Sequence, residues 1–191
     1  MSEEDAEKTG APSGPADYAR VCVESCVLGR RLPRPGGHRF FTHCAACFVS
    51  LKKHGELRGC IGTLEPAETD LGAEIARNAR SAAFYDPRFE RVRADELATL
   101  TCSVDVLSPS EPCVAADLDP AVYGVIVSAG LRRGVLLPDL QGVDTVEQQV
   151  DIARQKAGIG PGEAFSVARF TVTRYREGEP PHADEVDDQS S

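Results

Sequence analysis

No uninterrupted apolar stretch of this 191-residue chain comes near the ~20 residues that a membrane-spanning helix needs. Its first residues, Met1 to Glu7, are acidic and hold no apolar core of the kind a secretory signal carries, so the chain reads as cytoplasmic. The sequence has neither the glycine period nor the proline content of a collagen-like chain. Seven cysteines, an odd number without a signal peptide, exclude a small disulfide scaffold and imply reduced thiols. There is no excess of positive charge: 21 Lys and Arg stand against 30 Asp and Glu. The formal net charge is -9 and residues 15–176 are formally neutral, and a neutral core argues against a dedicated nucleic-acid binder, which would show a basic patch or stripe.

What is present suits a globular protein. Hydrophobic residues make up 41% and charged residues 27%, enough for one domain or two small lobes sharing a core. The negative charge sits at the ends. Residues 1–14 hold Glu3, Glu4, Asp5 and Glu7 against Lys8, and residues 177–191 hold six acids without a base, which leaves residues 15–176 formally neutral. The two ends are poor in large apolar residues and read as disordered, solubilising tails flanking a domain at 15–176.

Within that domain, Asp17 to about Gly29 reads as a helix with Asp17 as N-cap. Strand-like runs ending at Leu51 and starting at Leu57 flank the polar Lys52–Glu56 segment as a β-hairpin. Thr69 is a candidate cap for a helix whose Leu71, Ile75, Ala79 and Ala82 share one face and which should end before Asp86-Pro87. Strands follow at Leu100–Leu107, Tyr123–Ser128 and Gly134–Leu137. Asp144 to Glu147 has a capping-box pattern before a helix that Gly158 should stop, and Ala164–Tyr175 reads as one final strand. The order α-β-β-α-β-β-β-α-β predicts an α+β fold with mainly antiparallel sheets flanked by helices.

The densest chemistry lies in Leu57-Arg58-Gly59-Cys60-Ile61-Gly62. Strand alternation puts Arg58, Cys60 and Gly62 on one face and Leu57, Gly59 and Ile61 on the other. A guanidinium next but one to a thiol would favour the thiolate, and the bare positions Gly59 and Gly62 would admit a ligand or a neighbouring backbone. The alternative is a buried cysteine in a tightly packed strand. Asp86 can cap its own turn beside Arg88, and Asp139 and Gln141 leave a strand where a pocket wall could use them. Cys44 and Cys47 form a Cys-x-x-Cys pair, but it lies in a strand-like run without a second such pair, so no metal site is expected. Gly158 to Gly162 lacks the Lys-Ser/Thr of a phosphate loop, and no cofactor is implied.

Taken together, five ordered motifs resemble those of the AMMECR domain family, in particular its bacterial branch called AmmeMemoRadiSam system protein A. They are Leu57–Gly62, Ser81–Phe89, Ser103–Pro109, Leu136–Asp144 and Lys156–Ile159. The resemblance covers about residues 17–176. It implies two subdomains, with the Arg-Gly-Cys segment near a cleft between them, and partnership with a radical-SAM protein and a Memo-type protein. It supplies no reaction. The chain departs from close relatives in having Leu131 where a second turn glycine is expected and no tryptophan near the late helix.

Two functions follow as expectations. In the first, the protein is an accessory binding component that presents a small molecule or peptide through Arg58, Gly59, Gly62, Asp86, Arg88, Asp139 and Gln141. In the second, it is a thiol enzyme whose nucleophile is Cys60, with Arg58 lowering its pKa. No Cys–His pair can be read from the sequence, which favours the first.

Overall fold

The computed structural model describes Pro12 and residues 14–35 and 41–179. The chain divides into two units, one formed by residues up to Val106 with those from Arg174 onward, the other by Leu107–Thr173. Helices and two four-stranded sheets give an α+β fold, as expected.

The first unit begins with α1 (Pro15–Val27). Its cap is Gly14 with Pro15 in the first turn, rather than Asp17. Proline is favoured there because the first helical N–H groups have no intrahelical acceptor to lose. Asp17 instead receives the main-chain N–H of Gly178 at 3.1 Å. Strands β1 (Cys47–Lys53) and β2 (Glu56–Gly62) form the hairpin. His54 and Gly55 at its tip both have positive φ (53° and 85°), the arrangement a type I′ turn requires. Helix α2 (Leu71–Phe84) is capped by Asp70, one residue after the expected Thr69, and the Asp70 carboxylate accepts from Ala73 N at 2.8 Å. A 3-10 turn at Ala94–Thr99 leads into β3 (Leu100–Leu107).

The sheet order is β2-β1-β3-β8. One side of this sheet is the core side. Val49, Leu51, Cys102 and Val104 pack there with Tyr18, Cys22 and Val23 of α1 and with Ile75 and Ala79 of α2. The other side carries Ser50, Lys52, Thr101 and Ser103, none of them buried.

The second unit holds β4 (Glu111–Pro112), β5 (Gly124–Ala129), β6 (Arg132–Leu136), α3 (Val146–Ala157) and β7 (Ser166–Phe170), with sheet order β4-β7-β5-β6. Its core joins Val125, Val127 and Leu136 to Ala153 and Ala157. The cap of α3 is Thr145, one residue later than expected, boxed with Gln148. Gly158 closes the helix in the left-handed conformation, as its position implies.

The last expected strand is two. After β7 the chain leaves one sheet at Thr171 and enters the other as β8 (Val172–Arg176). Ser108 and Thr171 clasp each other where this happens: Ser108 N donates to Thr171 O, and Thr171 N donates to Ser108 Oγ, both at 3.0 Å. The alternation slips at the same place. Phe170 and Tyr175, both buried, have opposite parity.

Of the expected tails, all but a few residues lie outside the described part. Glu177, the first residue of the expected C-terminal tail, accepts the Cys102 N–H at 2.6 Å.

Candidate functional site

The hairpin carries a fault that organises the site. Lys52 pairs with Leu57 and Leu51 pairs with Gly59, so Arg58 is an extra residue with no partner on β1. Such a bulge inverts the alternation across it. Leu57 and Gly59, expected on the same face, therefore lie on opposite ones. Leu57 stands with Lys52 and Ser50 on the open face and is 44% exposed. Gly59 is buried toward α2, where a Cβ would sit 2.4 Å from the Ala82 carbonyl oxygen. The bare position at 59 thus admits a neighbouring backbone, the second of its two expected uses. At Gly62 a Cβ would meet the Phe48 ring at 2.3 Å.

The bulge also redirects Arg58. Its guanidinium forms a fork with Glu96 (Nε to Oε1 3.0 Å, Nη2 to Oε2 2.9 Å) and donates to the Glu90 carbonyl at 2.9 Å. Lys53 adds a bond to the same carboxylate at 2.9 Å. These two cations hold the Glu96 carboxyl down to about 2. The pairing of Arg58 with Cys60 read from simple alternation is replaced by this ion pair.

Cys60 is half-buried and sits opposite Ser50, whose hydroxyl donates to its sulfur at 3.2 Å. Its main chain is gripped from the α2 end. Asp86, with a side chain only 2% exposed, accepts the Cys60 N–H at 2.8 Å, and Arg88 Nη2 donates to the Cys60 carbonyl at 3.3 Å. Arg88 and Asp86 are themselves forked (3.0 and 2.7 Å), and Arg88 N donates to Asp86 Oδ1 at 3.1 Å. These donors hold the Asp86 carboxyl well below the usual carboxylate range. The Phe89 ring lies near both Arg58 and Arg88, at 6.0 and 5.4 Å from its centroid. Of the expected site residues, Cys60, Asp86 and Arg88 thus belong to one hydrogen-bonded cluster and Arg58 to another with Glu96 and Lys53, the Phe89 ring lying near both arginines.

Asp139 and Gln141 belong to the second unit. Asp139 has a positive φ (54°), and its N–H donates to the Pro120 carbonyl at 2.8 Å. Gln141 is exposed. The two cysteines of the Cys-x-x-Cys pair occupy different surroundings: Cys44 is exposed and its thiol donates to Glu68 O at 3.6 Å, whereas Cys47 is buried against Asn78. Burial pushes the Cys22 and Cys47 thiols up to about 12 and raises Cys102 further. Among the described residues no group of three or more His, Cys, Asp or Glu is placed to hold a metal ion.

Two features carry no sequence signal. Glu74, fully buried on α2, receives the Ala67 and Glu68 N–H groups (both 2.8 Å), the Thr63 hydroxyl and Asn78 Nδ2, and so pins the loop that follows β2. The second is a groove of about 400 Å3 on the open face of the first sheet, within the first unit, lined by residues of β1, β2, β3, β8 and the turn after it. Ser50 links the two sites, since it lines the groove and bonds to Cys60.

The profile of the AMMECR1 family matches residues 16–179. The chain belongs to the AMMECR1 family. It is 52% identical over 139 residues to a protein of Thermotoga maritima, a match covering 71% of this chain and 80% of that one. A protein of Clostridium acetobutylicum is 51% identical over 130 residues, 68% of this chain, but the match spans only 28% of that protein's length. The crystal structure of an uncharacterized protein from Pyrococcus horikoshii superposes with a TM-score of 0.76 at 26% identity, covering 91% of this chain and 94% of that one. The AMMECR1 profile spans all five motifs, including the bulged Arg-Gly-Cys segment. No helix among the described residues is long and apolar enough to cross a membrane.

Proposed function

We propose that this AMMECR1-family protein is a cytosolic accessory component that binds and presents a small molecule or peptide on the face carrying Cys60, in the service of a radical-SAM protein and a Memo-type protein. One observation carries the reading: the hydrogen bonds of the ionic groups around Cys60 go to its main chain, and the sulfur is hydrogen-bonded to a hydroxyl. Asp86 takes the N–H, Arg88 takes the carbonyl, and Ser50 donates to Sγ. A nucleophilic thiol needs a base or a cation directed at the sulfur itself. Here the charges are neutralised in pairs and serve to fix the strand. A rigidly held strand beside a groove is the architecture of a recognition surface.

A place for a protein partner lies on the same segment. Tyr85 is 54% exposed and flanked by the guanidinium groups of Arg80 and Arg91 at 5.7 and 6.0 Å. Tyrosine and arginine are the residue types that dominate binding hot spots.

The test is affinity capture of the tagged full chain from its own host at native expression. The radical-SAM and Memo-type proteins should be retained by wild type and by Cys60→Ser, and weakened by Tyr85→Ala. Recovery of neither partner sinks the proposal. A second reading, a thiol enzyme using Cys60, would gain if Cys60→Ser abolished the cellular modification while leaving partner capture intact.

A further inference from the structure

The groove on the open sheet face is lined by three cations, Lys52, Arg174 and Arg176, and three acids, Asp105, Glu177 and Glu179, with several hydroxyls between them. Three of its charged groups are satisfied internally. Arg174 is forked onto the buried Asp105 at 2.6 and 2.9 Å, and Glu177 accepts the Cys102 N–H at 2.6 Å and lies 4.0 Å from Arg20. Arg176 meets Glu179 only at 3.5 Å, with both side chains more than half exposed, a contact worth little in water.

Arg176 and Glu179 offset each other, and one cation, Lys52, is left over. Lys52 forms no ion pair or hydrogen bond with any described residue, and its neighbours across the strands, Thr101 and Leu57, are likewise free of polar ties through their side chains. Ser103 and Thr101 offer unengaged hydroxyls. The apolar wall is Leu57, which pairs with Lys52 on this face and is exposed. A volume near 400 Å3 suits a small metabolite.

We infer that this groove binds a small molecule with one anionic head group, a carboxylate or a phosphate, and a short apolar body. The head group is held by Lys52 and the hydroxyls of Ser103 and Thr101. The body lies against Leu57. Ser50 forms the end of the groove nearest Cys60, so an occupant sits one side chain away from that thiol. The inference rests on the reading of this protein as a binding component and names the ligand class for the same face.

The probes are butyrate and butyl phosphate, with butanol and butylamine as neutral and cationic controls and inorganic phosphate as the head group alone. Each is titrated into the full-length protein while amide resonances are followed by two-dimensional NMR. Saturable shifts at Ser50, Lys52, Thr101 and Ser103 are expected with one or both butyl anions, weaker shifts with inorganic phosphate, and none that saturate with butanol or butylamine. Whichever butyl anion binds tighter tells carboxylate from phosphate. Lys52→Met keeps the apolar stem and loses the charge. It should weaken binding by about tenfold with an unchanged spectrum elsewhere. Leu57→Ser should weaken the butyl anions and leave inorganic phosphate unaffected. Preference for butylamine, equal binding of butanol, or shifts confined to other surfaces would overturn the inference. Loss of probe binding with partner capture intact removes this ligand class alone, whereas failed capture with probe binding intact removes the partnership and spares the groove.

Discussion

Asp86 holds the main-chain N–H of Cys60 at 2.8 Å across 26 residues of sequence, while Arg88 closes the same clamp on the Cys60 carbonyl. The clamp ties the middle of β2 to the end of α2. Replacing Asp86 by Ala removes an ionised acceptor from a buried N–H and should cost about 1.5–3 kcal/mol. Urea unfolding and hydrogen exchange at the Cys60 amide would check this. Unchanged stability with unchanged exchange would show that the clamp has no energetic role.

Acid should loosen this part of the first unit. Asp86 and Glu96 both titrate lower in the folded protein than in the unfolded chain, Glu96 down to about 2. A depressed carboxyl contributes its full stabilisation above the unfolded value, roughly 4 for either residue, and loses it as pH falls through the folded value. Stability is therefore expected to fall between about pH 5 and pH 2. The slope should be shallower in Asp86→Asn and in Glu96→Gln than in wild type. Parallel acid curves for all three proteins would contradict the assignment.

Gly59 is a packing residue. A methyl group there would lie 2.4 Å from the Ala82 carbonyl oxygen, a backbone atom that cannot step aside without moving α2. Gly59→Ala is expected to destabilise the protein by about 1–3 kcal/mol. Gly160→Ala is the control, because its added Cβ would meet only a flexible carboxylate at 4.0 Å. Thermal melts that rank the two variants equal would refute the close approach.

Thiol reactivity should divide by burial. Cys22, Cys47 and Cys102 are buried and their thiols are pushed up in pKa, so the native protein should protect them from iodoacetamide near neutral pH. Cys44 is exposed and should label first, with the half-buried Cys26, Cys60 and Cys113 next. Peptide mass spectrometry after brief labelling gives the order. Early labelling of Cys47 would be incompatible with its place against Asn78.

The pattern of the chain conveys much of this fold through periodicity and capping residues. The apolar face of α2 and the glycine stop of α3 follow directly from spacing, and the hairpin follows from its polar turn. Caps shift by one residue where two adjacent side chains could both serve, as with Thr69 and Asp70. The site is harder to read, for a definite reason. Unbroken pairing outward from Lys53 and Glu56 would set Ser50 opposite Gly59, but the extra residue at Arg58 moves Ser50 opposite Cys60 and leaves Leu57 and Gly59 on opposite faces. No local pattern announces that extra residue. Its physical partner, Glu96, lies 38 residues away. The split of the last strand is announced faintly, by the change of parity between Phe170 and Tyr175.

The switch at Thr171 has a consequence for biosynthesis. The fourth strand of the first sheet is encoded after the whole second unit, so a nascent chain ending before Val172 presents β3 as a raw edge with unpaired main-chain groups. Residues 107–173, by contrast, are contiguous and emerge from the ribosome with all four strands of their own sheet. The interior segment can therefore mature first, and the flanking segments are sealed only when the carboxyl end arrives.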